Sequence, residues 1–177
     1  TLYHCEGEQK YQSCEQGPLS YYHREDKEEL KTNNYYCELD NQTYEIIKTI
    51  KIDTSKLDEK PLWTFIGLED ARMVQWSNKY FLCGVRRDTT TYGEGRMELC
   101  EIEIEDDKVT EISRNRIQVP DKKSYCEKNW MPILSDPYHF VKWTNPVEIV
   151  KVNLESNDCD IIFNSSKTYQ LSYDIRG

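Results

Sequence analysis

Charged residues of opposite sign gather at both ends of a stretch that holds two apolar runs. They are Glu69, Asp70, Arg72, Arg86, Arg87 and Asp88. A carboxyl group can move a proton at a glycosidic oxygen, and a guanidinium group fits carboxylates, phosphates and pairs of sugar hydroxyls. If the two runs form an antiparallel hairpin, the second strand returns its charged end to Asp70. The sequence therefore predicts a charged site at one end of this hairpin.

A second polar group stands at the matching place before a later apolar run. It comprises Glu127, Lys128, Asn129 and Trp130. We expect it to converge with the first group, its cations holding phosphate or sugar oxygens and a Trp stacking on a sugar face. A structural interpretation stays open, in which Asp70 and Arg72 tie neighbouring strands together. Core packing is favoured for Trp63 and Trp143, and one of the adjacent Arg86 and Arg87 should face solvent, because strand neighbours alternate between faces.

Composition excludes several classes of function for this chain of 177 residues. Its net charge of -9 makes nucleic acid an unsuitable partner, and no apolar run approaches the roughly 20 residues of a membrane helix. The seven cysteines and three histidines show no metal-ligand spacing. We therefore expect no metal, no resident cofactor and reduced cysteines, with a cytoplasmic location slightly favoured.

The apolar pattern is that of short strands, and the strands repeat. Runs beginning at Tyr36, Leu99 and Ile149 align with one another at offsets of 63 and 50 residues. Each is preceded by an aromatic-rich strand and followed by a polar turn and another strand. Four-stranded units at such a period are typical of β-propeller blades, although a β-sandwich also has short strands. The prediction is an all-β chain of about three blades.

Blade boundaries follow from the repeats. We place blades at approximately 1–60, 61–122 and 123–168, with 169–177 starting a further blade, in one partial propeller domain over 1–177. Since propellers close with about four to eight blades, we expect a longer propeller, or open edges that a partner or a second copy covers.

Several motifs resemble one family of proteins. Gly67–Met73 contains Glu-Asp-Ala-Arg, and Lys128–Pro132 reads Lys-Asn-Trp-Met-Pro. Together with Tyr138–Val152, these residues resemble five-bladed propellers related to inverting mannoside phosphorylases and mannosidases, and glycosidase-like propeller domains found beside glycosyltransferases. The family's common Pro is Ala71 here, and the resemblance spans roughly residues 18–177.

The resemblance implies a site and an activity. Asp70 would be the general acid that protonates a glycosidic oxygen while phosphate or water attacks the opposite face, which inverts the configuration. Arg72, Arg86, Arg87 and Lys128 would hold phosphate or sugar, with inorganic phosphate a possible co-substrate. The expected partners are an oligosaccharide or glycoconjugate, together with a glycosyltransferase domain or a second copy of this chain. Hydrolysis, phosphorolysis and glycosyl transfer stay open, as does a non-catalytic carbohydrate-binding or scaffold propeller.

Overall fold

The computed structural model describes the backbone of residues 9–13, 20–24, 29–120 and 124–167, and the side chains of 29–120 and 124–167. All regular elements in these ranges are strands, so the all-β prediction is confirmed. They are β1 (Gln9–Ser13), β2 (Ser20–Arg24), β3 (Leu30–Lys31), β4 (Tyr35–Leu39), β5 (Ile46–Asp53), β6 (Phe65–Ile66), β7 (Leu68–Trp76), β8 (Lys79–Arg86), β9 (Arg96–Glu105), β10 (Lys108–Arg116), β11 (Met131–Pro132), β12 (His139–Thr144), β13 (Val147–Val152) and β14 (Cys159–Asn164). Within the described residues, no helix has the length and apolarity needed to cross a membrane.

Two four-stranded antiparallel units follow one another along the chain. They lie in the ranges predicted for the second and third blades, 61–122 and 123–168, and are called the second and third units. The second unit consists of β7, β8, β9 and β10 in sequence order, and the third unit consists of β11, β12, β13 and β14. Both match the order of strands that the repeat predicted. The β7–β8 hairpin is tight because Ser77 and Asn78 both adopt positive φ, at 49° and 63°, between the paired Trp76 and Lys79. Such left-handed pairs give the turn that matches strand twist.

Strands β4 and β5, with the chain that follows them up to residue 60, are called the first unit, and this unit joins the second in a way that the repeat did not predict. β4 and β5 form an antiparallel pair, and β5 also runs parallel to β10 through Val109 opposite Ile52 and Thr110 opposite Asp53. The result is one strongly curled six-stranded sheet in the order β4-β5-β10-β9-β8-β7. β1 pairs with β2, and β3 pairs in parallel with β6. The number of blades and the closure of a propeller remain predictions.

The second unit buries apolar side chains on both of its faces. One face packs against the third unit in a core that contains Trp76, Phe81, Met97 and Phe140. The ring of Trp76 lies 5.6 Å from that of Phe140, and its Nε1 donates to the carbonyl of Ile133 at 3.1 Å. This contact of two sheets is the face-to-face packing expected between neighbouring blades.

A smaller apolar cluster occupies part of the opposite face, towards the first unit. It contains Ile52 of β5 together with Leu68, Leu82, Cys100, Ile102 and Val109 of the second unit. Beside this cluster the same face carries charged side chains instead of apolar ones, and it opens on a cavity.

Candidate functional site

A β-bulge sets the position of Asp70 on β7. The pairing of β7 with β8 shifts register between Glu69 and Arg72, and Asp70 has a φ of 52°. Positive φ is uncommon outside glycine, although Asp adopts it more readily than most residues. A bulge turns a side chain away from the direction that regular alternation would give it. The Asp70 side chain is exposed, while Glu69 is half-buried.

Backbone pairing brings the start of the third unit to the same place. Gly95, just before β9, forms an isolated parallel bridge with Cys126. Its N–H donates to the carbonyl of Tyr125 at 3.0 Å, and its carbonyl accepts from the N–H of Glu127 at 2.9 Å. A Cβ on Gly95 would lie 2.5 Å from Sγ of Cys126, so glycine permits this close approach. Lys128 follows directly and is exposed.

Arg87 is held in a fixed orientation beside the bulge. Its Nε donates to the carbonyl of Gly93 at 2.9 Å, and its Nη2 donates to the hydroxyl of Tyr125 at 3.0 Å. The guanidinium carbon lies 5.5 Å from the centre of the Phe65 ring and 5.6 Å from that of Tyr125. Two aromatic rings and two hydrogen bonds therefore position this cation before any ligand arrives.

Glu69 lies at the electrostatic centre of the group. Burial raises the pKa of its carboxyl group, the nearby charges of Asp70 and Asp88 raise that pKa further, and Arg87 and Lys128 oppose the increase. The four residues Glu69, Asp70, Arg87 and Lys128 are called the mouth cluster below. The structure thus gathers charges from the ends of β7 and β8 and from the start of the third unit around one carboxyl group.

Arg86 and Asp88 point elsewhere. Arg86 is buried and donates from Nε to Oε2 of Glu98 at 2.6 Å, while its Nη1 lies 3.5 Å from Oδ2 of Asp88. The same Oδ2 accepts the backbone N–H of Gly67 at 2.8 Å. Arg86 and Arg87 therefore have different surroundings, but the expectation that one of them faces solvent was wrong, because Arg86 is buried and Arg87 is half-buried.

Four other residues with predicted binding roles have distinct surroundings. Glu127 is buried, accepts the indole N–H of Trp130 at 3.1 Å and lies 3.7 Å from Nζ of Lys142. Trp130 has no exposed surface, so in this structure it is a core residue and offers no face to a sugar. Arg72 is exposed and reaches the Asp70 carbonyl at 3.5 Å, and Asn129 is half-buried with a φ of 62°.

The remaining two tryptophans differ from each other. Trp143 is 59% exposed, so the expectation of core packing for it was wrong. Trp63 is half-buried, its Nε1 has no hydrogen-bond partner within the described chain, and Gly93 packs directly against its ring. Of the two, Trp143 offers the larger surface for stacking, although it lies on β12 and no contact with the mouth cluster is seen.

A group of buried and half-buried charged side chains was not predicted from the sequence. It comprises Glu98, Glu111, Arg114 and Arg116, which line a cavity of 1070 Å³ together with Arg86 and Asp88. One signal was available: the apolar positions of β9 change phase, from Met97 and Leu99 to Ile102 and Ile104. Such a change marks a strand buried on both faces. In the side chains described, no cluster of His, Cys, Asp and Glu has the arrangement of a metal site.

Comparison with known proteins gives a partial similarity. Two sequences named β-mannosyltransferase 2, from the CBS 7435 and GS115 strains of Komagataella phaffii, are each 36% identical to this chain over 55 residues. The match covers 29% of this chain but only 9% and 8% of those proteins, so the chain spans less than a tenth of their length. No family model matches, and no solved structure gives a significant match. Over this stretch, the chain is therefore similar in sequence to a glycosyltransferase.

Proposed function

We propose that this chain contributes to a carbohydrate-active protein that acts on mannoside-like glycans, with the mouth cluster as its reactive site. The observation that carries the proposal is the gathering of Asp70, Arg87 and Lys128 around the half-buried carboxyl group of Glu69. Paired carboxyl groups beside fixed cations suit proton transfer at a sugar oxygen. The similarity to a β-mannosyltransferase supports mannose as the sugar and glycosyl transfer as the reaction.

Asp70 is the proposed proton-transfer group because the bulge turns it outward. In glycosyl transfer its carboxylate takes the proton from the attacking hydroxyl group of the acceptor. In phosphorolysis or hydrolysis its carboxylic acid gives a proton to the departing glycosidic oxygen. In each case the nucleophile attacks the face opposite to the leaving group, and the product has inverted configuration.

Glu69 and the cations support that chemistry. The carboxyl group of Glu69 holds its proton to a higher pH than an ordinary glutamic acid does, because it is partly buried beside Asp70 and Asp88. A protonated Glu69 donates a hydrogen bond to a sugar oxygen instead of repelling the charge on Asp70. Arg87, fixed between Phe65 and Tyr125, holds a phosphate or sugar oxygen.

The test compares Asp70→Asn with Asp106→Asn in the full-length protein that contains this chain. Asp106 is an exposed acid in the β9–β10 turn of the same unit, so it matches the charge change at a place away from the mouth cluster. We expect Asp70→Asn to lower the turnover of mannosides about 10²–10⁴-fold, with little change in KM, and Asp106→Asn to have no effect.

Two outcomes would change the conclusion. Equal turnover in Asp70→Asn and the parent protein would remove Asp70 from the reaction. Binding of mannosides by the parent protein without turnover, either with phosphate or with an activated mannosyl donor, would favour the alternative of a non-catalytic carbohydrate-binding propeller.

A further inference from the structure

The second unit has two chemically different faces. The face towards the third unit is a continuous apolar core. The opposite face of β8, β9 and β10 carries five charged side chains beside a few apolar ones. These charged side chains are Arg86, Glu98, Glu111, Arg114 and Arg116. Three of them, Arg86, Glu98 and Glu111, are 5% exposed or less, yet all five line the cavity of 1070 Å³ between the second unit and the first.

The charged side chains hold one another in place. Arg114 donates from Nε and Nη2 to the two carboxylate oxygens of Glu111, both at 2.8 Å, and from Nη1 to the carbonyl of Leu57 at 2.9 Å. The carboxylate of Glu98 lies between Arg86, at 2.6 Å, and Arg116, at 3.4 Å. Every one of these five charged groups is thus paired with an oppositely charged neighbour, and all five line the cavity.

Such a network is costly as a device for joining two sheets. Removing paired charges from water costs several kcal/mol for each ion, and apolar residues of the same volume often give equal or greater stability. The other face of the same sheet shows that this chain can build an apolar contact here. A rigid polar surface on an open cavity is, by contrast, what recognition of a polar ligand requires.

We infer that this cavity is a second binding site, separate from the mouth cluster, that takes a neutral oligosaccharide. Six cationic and seven acidic side chains line it, so its charges nearly cancel and it does not favour a highly charged anion. Paired guanidinium and carboxylate groups offer both donors and acceptors, which suits hydroxyl groups. Ile52, Leu68 and Leu82 supply an apolar wall for the C–H face of a sugar.

The size of the cavity agrees with an extended ligand. Pockets for small organic ligands occupy about 300–1000 Å³, and this cavity, at 1070 Å³, exceeds that range slightly. An oligosaccharide of several residues therefore fits the space better than a single sugar. None of the four residues of the mouth cluster lines the cavity, so a glycan bound there would contact other side chains. This site would therefore set which chains are acted on and not the reaction itself.

The experiment blocks the cavity without touching its ion pairs. Ser55, which follows β5, and Thr89, which follows β8, are exposed lining residues, and Thr89→Trp or Ser55→Trp narrows the cavity. Thr144→Trp, at an exposed position on β12 outside the lining, is the matched control, and Asp70→Asn reports on the mouth cluster. Each variant is titrated by calorimetry with β-linked mannotetraose, cellotetraose and inorganic pyrophosphate, after circular dichroism and urea unfolding establish that it folds.

We expect the parent chain to bind a neutral tetrasaccharide, and Thr89→Trp and Ser55→Trp to weaken that binding at least tenfold. Thr144→Trp and Asp70→Asn should leave it within a factor of two. The inference is wrong if no neutral tetrasaccharide binds, if both cavity variants bind like the parent, or if pyrophosphate binds more tightly than the sugars. Binding lost only in Asp70→Asn would instead support the mouth cluster and refute the cavity, so the two proposals fail separately.

Discussion

Replacing Arg86 with leucine tests the buried ion network most directly. Arg86 gives Glu98 its shortest bond, at 2.6 Å, and Glu98 is only 1% exposed. Without Arg86 the carboxylate keeps Arg116 at 3.4 Å as its remaining cation. Removing one partner of a buried pair costs about 3–5 kcal/mol, because the other charge is left uncompensated. With about 2–4 °C lost per kcal/mol in a chain of this size, Arg86→Leu should lower Tm by about 6–20 °C.

Urea unfolding and calorimetry measure this effect, with two comparisons. Lys79→Leu removes the pair with Glu101, in which the Lys79 side chain is 54% exposed, and should lower stability far less than Arg86→Leu does, because solvent screens an exposed pair. The double variant Arg86→Leu/Glu98→Leu removes both charges and should recover much of the loss. A loss below about 1 kcal/mol for Arg86→Leu alone would refute the reasoning, since Glu98 would then not depend on its buried partner.

Three further predictions follow from burial. Trp76→Ala should cost about 3–5 kcal/mol in urea unfolding, because Trp76 fills the core between two units, whereas Trp143→Ala at an exposed site should cost about 0.5 kcal/mol or less. Thiol labelling of the native chain, mapped by mass spectrometry, should modify exposed Cys37 and spare Cys83, whose pKa burial raises to about 12; equal labelling of both would contradict the fold. The raised pKa of Glu69 contributes stability at low pH that is lost as pH rises from its ordinary value of 4.5 through the raised value. Glu69→Gln should therefore flatten the pH dependence of the unfolding free energy in that range, and an unchanged slope would contradict the shift.

Local pattern predicted the strands well where apolar and polar residues alternate. The predicted strand at Leu99 lies within the observed β9, and the predicted hairpin of two apolar runs is observed as β7 and β8. Strand order within the second and third units also followed from the repeat. The parallel contact of β5 with β10 could not be predicted in this way. It joins residues 57 positions apart through two residue pairs, and such a contact leaves no periodic pattern in the sequence.

The candidate site was predictable in outline and not in detail. The hairpin prediction correctly placed the end of β8 beside Glu69, because Val85 of β8 pairs with Glu69 of β7. The sequence did not reveal the bulge that turns Asp70 outward, because a bulge depends on packing across the sheet. It also did not show that Trp130 packs inside the core or that Arg116 lies opposite Glu98, which follows from a register shift between Glu111 and Ser113.

The apolar face and the charged face of the second unit tolerate different amino-acid substitutions. On the apolar face, one substitution of similar volume is tolerated by itself, as when leucine replaces methionine at Met97. On the charged face, a change at Arg86 leaves Glu98 unmatched, so the two positions should change together in related sequences. An alignment of homologues should therefore show independent substitutions on the apolar face of this sheet and correlated substitutions on the charged face.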